Sequence, residues 1–262
     1  MTNVPRPKRV LITGAASGIG RCFAEALSVR NSALGLVDVS EAGLSEVAEG
    51  AQAAGAKAER RIADVGDTTA VASAVESLVG ELGGLDWVVH CAGVLGPGSF
   101  AEQSAGDFER VLAIDLLGTA NVARACFAPL RDSRGAFACM ASTAALHGWP
   151  EMSAYSSAKF GVSGFCDAVR PEFARHGICV TAVYPLLIDT PLLRGADRAP
   201  ILKQGKAITP RRVVDKTLIA LSRRKPRVYV PGYVRLIAAA HGLAPGLLDR
   251  YGKRFGLRRR DS

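Results

Sequence analysis

The amino-acid sequence predicts an α/β fold, with about seven parallel strands in one doubly wound sheet and helices on both faces. Short apolar runs rich in β-branched residues alternate with longer segments of helical period, as in successive βαβ units. Most of these runs are uncharged, which is typical of strands covered on both faces. With 48% apolar and 22% charged residues among 262, the chain has enough material for one buried sheet.

The apolar runs predict strands near residues 10–13, 33–38, 58–63, 85–91, 135–141, 178–184 and 227–230. The segments between them predict helices near residues 18–30, 41–54, 67–82, 104–130, 152–176 and 210–222. Some helix ends carry the expected residues. Gly55 and Gly177 lie where a helix ends in the left-handed conformation, and Thr209-Pro210 supplies an N-cap followed by proline at the first helical position.

The cysteines form no CxxC pair and have no histidine cluster beside them, so we expect reduced thiols and no metal site. The N-terminal nine residues contain no apolar core, and we expect no signal peptide. The later apolar stretch 236–248 is interrupted and falls short of the ~20 residues that span a bilayer. No transmembrane helix is predicted, and the expected location is the cytoplasm.

A glycine-rich run follows the first predicted strand. Gly14, Gly18 and Gly20 lie between that strand and a helix, where small residues let a pyrophosphate approach the positive helix end. The pattern is typical of a Rossmann-type dinucleotide fold, although a tight strand-to-helix turn alone would explain it.

The acidic residue Asp38 ends the second predicted strand. A carboxylate there accepts hydrogen bonds from the adenosine ribose hydroxyls and repels a 2′-phosphate. Ser17 adds no positive charge to the loop, and no arginine or lysine occurs between Arg30 and Lys57. We therefore expect NAD to be preferred over NADP; the alternative for Asp38 is that it caps the next helix.

Three further residues predict acid/base chemistry. Tyr155 and Lys159 have i, i+4 spacing, so they share a face of a helix, and Ser142 ends a strand. A tyrosine with an ordinary pKa of ~10 is a poor base at neutral pH, but a nearby ammonium stabilises its phenolate. Individually such residues are commonplace; their joint spacing is not.

Together these motifs resemble the short-chain dehydrogenase/reductase family, over nearly all of residues 8–231. The resemblance implies that Ser142 positions a carbonyl or hydroxyl, that Tyr155 donates or accepts the proton, and that Lys159 tunes Tyr155 and holds the nicotinamide ribose. The residues it implies for cofactor binding are Gly14, Ser17, Gly18, Ile19, Gly20, Asp38, Asp64, Val65, Cys91, Ala92, Gly93, Tyr155, Lys159, Ile188 and Thr190.

The chain departs from the family pattern at three positions. Cys91 stands where the family has a sheet-bracing asparagine, Leu186 where it has glycine, and Asp115 where it has the asparagine of a proton relay. Asp115 can still orient a water, or it can pair with Lys159 and weaken the effect of that lysine on Tyr155. We expect retained activity with an altered pH optimum, and Asp115 is counted with the catalytic residues. The alternative is a non-catalytic NAD-binding sensor or scaffold.

The segments expected to close over the substrate are largely apolar, namely 146–149 with Met152 and 186–188 with Leu192 and Leu193. They predict a lipophilic secondary alcohol or ketone as the substrate, unless these side chains merely pack a lid. By analogy with the family, helices 104–130 and 152–176 are expected to form a homo-oligomer, either dimer or tetramer.

The whole chain, 1–262, is predicted to be one dinucleotide-binding and catalytic domain with a basic amphipathic extension from about residue 232. Residues 1–222 carry 22 basic and 22 acidic groups, whereas residues 223–262 carry 11 basic and 2 acidic groups. The extension is expected to touch an anionic membrane surface, to cover the substrate cleft or to form a dimer contact. No nucleic-acid partner is expected, because no reader motif accompanies the charge.

Overall fold

The structure is a computed structural model that describes residues 9–30, 32–194 and 199–257. It confirms the predicted Rossmann-type sheet of seven parallel strands, in the order β3-β2-β1-β4-β5-β6-β7. The strands are β1 Arg9–Thr13, β2 Ala33–Asp38, β3 Lys57–Ile62, β4 Trp87–His90, β5 Ala136–Met140, β6 Cys179–Pro185 and β7 Arg227–Val230.

The strand order reverses between β1 and β4, which creates a crevice at the carboxyl end of the sheet. Thr13, the last residue of β1, pairs with Val37 on one side and with His90 on the other. The loops that follow β1 and β4 therefore leave the sheet side by side. In open α/β sheets this switch point is where ligands bind.

The helices include all six predicted segments. They are α1 Gly18–Ser28, α2 Glu41–Ala53, α3 Thr68–Leu82, α4 Ala105–Val111, α5 Gly118–Ser133, α6 Ser153–Ala174, α7 Pro191–Arg194, α8 Pro210–Ser222, α9 Arg235–Leu243 and α10 Pro245–Phe255. The short α7 was not predicted, because four residues are too few to show a helical period. The amphipathic extension predicted from about residue 232 forms two helices, α9 and α10, whose separate bounds were not predicted.

The long helix that precedes β5 is interrupted by a π-helical segment, Leu112–Leu117, which joins α4 to α5. The sequence does not predict it, since a π-bulge leaves the helical period almost unchanged. Such bulges occur frequently at functional sites. This one contains Asp115, which is fully buried.

Helices cover both faces of the sheet. Ile12 points to the face where Phe23 of α1 lies, and the neighbouring Leu11 points to the opposite face, with Leu78 of α3 and Leu130 of α5. All five side chains are fully buried. The uncharged strands thus have the two-sided burial that their sequences predict.

One described helix, Ala105–Ser133, is long and apolar enough by length and composition to cross a bilayer. Its residues Val122, Cys126 and Leu130 are fully buried in the core beside the sheet. Packing in that core accounts for its apolar composition. Residues 1–8, on which the signal-peptide expectation rests, and residues 258–262 of the basic extension lie outside the described residues.

A side-chain hydrogen bond ties β1 to β4 at the crevice. Thr13 Oγ1 and His90 Nδ1 are 2.7 Å apart, and the backbone N–H of Ala92 donates to Thr13 Oγ1 at 3.4 Å. Burial, and secondarily the charge of Lys159, lower the pKa of His90 to about 3. The histidine is therefore a neutral structural group at physiological pH.

We predict that His90→Gln reduces the pH dependence of stability between pH 6.5 and 4. In the wild type the unfolded chain binds a proton below pH ~6.5 and the folded chain does not, so the free energy of unfolding falls as the pH falls. One such proton contributes up to about 1.4 kcal/mol per pH unit. Urea unfolding across this range measures the slope. His176→Gln, at an exposed histidine, is the control; equal slopes for the wild type and His90→Gln would contradict the prediction.

Candidate active site

Two cavities adjoin at the carboxyl end of the sheet and share Thr190 and Leu192 on their walls. The first, of about 280 Å³, lies over the glycine-rich loop. The second, of about 420 Å³, lies beyond β5 and β6. The first cavity brings together most of the residues predicted to bind the cofactor: Gly14, Ser17, Gly18, Ile19, Gly20, Asp38, Asp64, Val65, Cys91, Ala92, Gly93 and Thr190.

The glycine-rich loop fits a dinucleotide because its backbone is packed too closely for side chains. Gly14 has a φ of +64°, and a Cβ there would lie 2.7 Å from the backbone nitrogen of Ala92. A Cβ at Gly20 would lie 2.0 Å from the carbonyl oxygen of Gly14. Within the described residues Ser17 makes no side-chain capping bond to α1. The first amides of that helix are therefore available to an anion.

The carboxylate of Asp38 is bonded to two backbone amides at the end of β2. Its Oδ2 accepts from Ala16 N at 3.0 Å, and its Oδ1 accepts from Ser40 N at 3.0 Å. The N-cap of α2 is Ser40, whose hydroxyl accepts from Gly43 N. Asp38 is thus not the helix cap; it links the glycine-rich loop to β2 and lines the first cavity, where an acidic residue of a dinucleotide fold would hold the ribose hydroxyls.

Sequence reasoning missed one charged residue of this cavity. Arg110, on α4, lies on the cavity wall with Ile114 one turn further along the helix. Neither belongs to a local motif: Arg110 lies on α4, which packs on α6, and Ile114 lies in the π-helical segment, so only tertiary packing brings both to the cavity. An i, i+4 pair on that helix was the one available signal.

Two of the residues predicted to carry the chemistry, Ser142 and Tyr155, meet at the second cavity. Ser142 follows β5, and its Oγ accepts from the backbone N–H of Ala144 at 3.1 Å. Tyr155 lies in the first turn of α6, and both side chains are on the cavity wall. Ile188, predicted beside the cofactor, also lines this second cavity.

Lys159 lies behind Tyr155 and lines neither cavity. Its Nζ is 5.4 Å from the centroid of the Tyr155 ring and donates to the carbonyl oxygen of Met140 at 3.0 Å. It also forms an ion pair with Asp115 Oδ2 at 2.9 Å. An ammonium has three donors, so one remains for a further acceptor.

The structure places Asp115 between Lys159 and the loop that follows β4. Its Oδ1 accepts from Val94 N at 2.7 Å, and a Cβ at Gly93 would lie 3.1 Å from its Oδ2. Burial raises the pKa of Asp115, and the nearby Lys159 opposes that rise. Burial is the largest single effect on Lys159 and disfavours its charged form, but Asp115, Tyr155 and Cys139 together raise the pKa of that lysine. The pair is a mutually stabilised ion pair.

The pKa of Tyr155 is raised, chiefly by burial. Lys159 and the Ser142 hydroxyl lower it, whereas Asp115 raises it. The sequence-based expectation that Lys159 stabilises the phenolate thus describes one contribution among several. In the structure the protonated phenol is the favoured form.

The two remaining departures from the family pattern have clear structural places. The partly buried Cys91 lines the first cavity, and desolvation raises the pKa of its thiol. The strands β1 and β4 are braced beside it by Thr13 and His90 instead. Leu186 donates its N–H to Val230 O at 2.9 Å and adds an apolar side chain to the second cavity.

The C-terminal extension covers the second cavity. Ile237 of α9 and Leu248 and Tyr251 of α10 lie on its wall. His147 Nδ1 is 3.2 Å from His241 Nδ1, which ties α9 to the loop after β5. Of the alternatives left open by the sequence, the structure therefore shows a pair of helices over the cleft.

The chain matches the family model described as short chain dehydrogenase over residues 8–200. It is 36% identical to the putative oxidoreductase SadH of Mycobacterium tuberculosis over 193 residues, which cover 72% of this chain and 70% of that protein. It is 38% identical to momilactone A synthase of Oryza sativa subsp. japonica over 196 residues, 72% of this chain and 69% of that protein. The ketoacyl reductase HetN of Nostoc is 26% identical over 257 residues, 95% of this chain and 90% of that protein.

The family match over residues 8–200 includes β1 to β6 of the sheet and the glycine-rich loop that lines the first cavity. The chain therefore belongs to the short-chain dehydrogenase/reductase family and is an NAD(P)-dependent oxidoreductase that acts on CH–OH groups.

Proposed function

We propose that the protein interconverts lipophilic secondary alcohols and ketones, with NAD as its preferred cofactor. One observation carries the proposal: the hydroxyls of Ser142 and Tyr155 lie on the wall of an otherwise largely apolar cavity that adjoins the nucleotide cavity at Thr190. Its volume of about 420 Å³ falls within the usual range for small-molecule sites. The nicotinamide cofactor, when bound, supplies the hydride donor or acceptor.

The apolar walls favour a substrate with few hydroxyls. Leu95, Leu187, Leu193 and Ile201 are among the side chains that line the cavity. A sugar placed there would leave several hydroxyls without partners, at a cost of roughly 1–3 kcal/mol each. A substrate with a single oxygen can place it between Ser142 and Tyr155 and bury the remainder.

Tyr155 is proposed as the proton donor for reduction and the acceptor for oxidation. The protonated phenol, favoured by burial, is ready to donate to a carbonyl oxygen. Oxidation needs the phenolate, which the charge of Lys159 stabilises. Ser142, which interacts with the Tyr155 hydroxyl, orients the substrate oxygen beside it.

The sensor or scaffold alternative has less support. Tyr155 and Lys159 remain 5.4 Å apart, ring centroid to Nζ, on one face of α6. A protein that only binds nucleotide has no chemical need for that arrangement. A homo-oligomer formed through the helices at 104–130 and 152–176 is also proposed, and the exposed Leu117 and Phe160 on them favour it. A cytoplasmic location is proposed as well.

Tyr155→Phe is expected to lower turnover by roughly 100-fold or more, because it removes the transferable proton, while NADH binding is retained. Reduced-nicotinamide absorbance is followed with NAD and a panel of lipophilic secondary alcohols. Tyr229→Phe, on β7 and stacked on Tyr184, is the matched control. Equal turnover by Tyr155→Phe and the wild type would refute the assignment. A wild type that binds NADH but turns over only polyols would refute the substrate class.

Asp115→Asn is expected to shift the pH profile of alcohol oxidation to lower pH. The negative charge of Asp115 raises the pKa of Tyr155, so its removal leaves Lys159 free to stabilise the phenolate. The measurement is kcat and kcat/KM against pH, with the exposed Asp132→Asn as control. An unchanged profile in Asp115→Asn would show that Asp115 is not coupled to Tyr155.

The wild type is expected to bind NADH at least about tenfold more tightly than NADPH, a difference of ~1.4 kcal/mol, because the Asp38 carboxylate repels a 2′-phosphate. Fluorescence titration with both cofactors measures the ratio. Asp38→Asn should reduce it, and Arg110→Gln should leave it unchanged. Tighter binding of NADPH than of NADH by the wild type would overturn the NAD preference. If Arg110→Gln then lost that tighter binding, Arg110 would be the ligand of the 2′-phosphate.

A further inference from the structure

The helices α9 and α10 have an inner face that is buried on the protein. Ile237 and Leu248 line the second cavity. Gly252 and Gly256 pack on the ring of Pro150, where a Cβ would lie 3.3 Å and 3.0 Å from its atoms. This inner face accounts for only part of the apolar residues of the two helices.

The outer face of the same helices is apolar and exposed. Leu236 is 61% exposed, Leu243 87% and Leu247 62%. Leu243 has the largest exposure among the big apolar side chains that the structure describes. Leu243 and Leu247 lie on either side of the corner between α9 and α10, so this corner carries two large, exposed apolar side chains. Such exposed apolar patches mark interaction sites.

The charge around this patch is positive. Arg235, Arg250, Lys253 and Arg254 are exposed on α9 and α10, and Asp249 is the one acidic residue of these two helices. Residues 1–222 are balanced, with 22 basic and 22 acidic groups. The excess positive charge of the chain therefore lies in residues 223–262, and α9 and α10 contribute four basic groups and one acidic group to it.

We propose that α9 and α10 dock on an anionic lipid bilayer, with Leu243 and Leu247 inserted at the headgroup boundary and the basic residues against the lipid phosphates. A bilayer surface offers apolar depth and negative charge together, which is what this face matches. A nucleic acid would engage the basic residues and leave the leucines in water. A bilayer accounts for both groups of residues.

The outer face of α9 and α10 lies beside the opening of the second cavity. Tyr233 and Tyr251 line the cavity and are nevertheless 58% and 42% exposed, so the cavity opens to the surface at these two rings. Tyr233 precedes α9, and Tyr251 belongs to α10. A lipophilic substrate dissolved in the bilayer would thus enter without crossing water. This last step rests on the function proposed above; the docking itself does not.

The test is sedimentation of the full-length protein with vesicles of phosphatidylglycerol and phosphatidylcholine, and with vesicles of phosphatidylcholine alone. We expect binding to the anionic vesicles at low salt and weaker binding in high salt, because ions screen the basic groups. Leu243→Ser/Leu247→Ser should bind at least about tenfold more weakly. Arg250→Gln/Arg254→Gln should no longer bind the anionic vesicles more tightly than the vesicles of phosphatidylcholine alone.

Matched controls separate this face from general effects of surface mutation. Val29→Ser removes a side chain that is 72% exposed, at the end of α1 where the chain leads into β2. Arg212→Gln/Lys216→Gln removes two exposed charges from α8. Both controls should bind vesicles as the wild type does. The proposal would be overturned if Val29→Ser weakened vesicle binding as much as Leu243→Ser/Leu247→Ser does. It would also be overturned if Arg212→Gln/Lys216→Gln weakened binding as much as Arg250→Gln/Arg254→Gln does.

Two other outcomes are decisive. Absence of wild-type binding to anionic vesicles at low salt refutes the docking. If Leu243→Ser/Leu247→Ser instead changes the molar mass measured by light scattering without lipid, the face is a contact between copies of this chain, and the proposal fails. Turnover of a water-soluble short alcohol, assayed without vesicles, reports on the proposed function separately. Leu243→Ser/Leu247→Ser should keep that turnover, since neither residue lines the cavity.

Discussion

The buried ion pair of Asp115 and Lys159 fixes the arrangement of the candidate active site. Both side chains are almost completely inaccessible to water, and their charged atoms lie 2.9 Å apart. Either charge alone would be costly to bury, by several kcal/mol, so each residue depends on the other. The pair also bonds Val94 N and Met140 O. It therefore joins the π-helical segment, α6, β5 and the loop after β4 at one point.

This dependence has a consequence for the chemistry of Tyr155. A lysine facing only neutral groups would direct its full charge at the phenol, whereas here part of that charge is compensated by a carboxylate. The family pattern has a neutral amide at this position, so this chain combines the same serine, tyrosine and lysine with a different electrostatic surrounding. The carboxylate shifts the balance between phenol and phenolate towards the phenol.

Sequence reasoning was successful where the relevant pattern is local. Each strand is a short apolar run, and the glycine-rich loop is contiguous, so both can be recognised without tertiary information. Arg110 and the Thr13–His90 bond could not be predicted, since each depends on elements far apart in the chain packing side by side. The π-helical segment was missed because one extra residue in a turn hardly alters the apolar period.

In the second cavity, the side chains that would bind a substrate differ from those that would orient it. Its leucines and isoleucines supply apolar contact that has no direction, worth about 25 cal/mol per Å² buried. Direction comes from the Ser142 and Tyr155 hydroxyls on the same wall. Leu186, in place of the family's glycine, adds to the apolar lining. A substrate of the proposed class would be held by the bulk of its hydrocarbon and aligned by its one oxygen, so the reacting carbon would be fixed without contacts specific to the rest of the molecule.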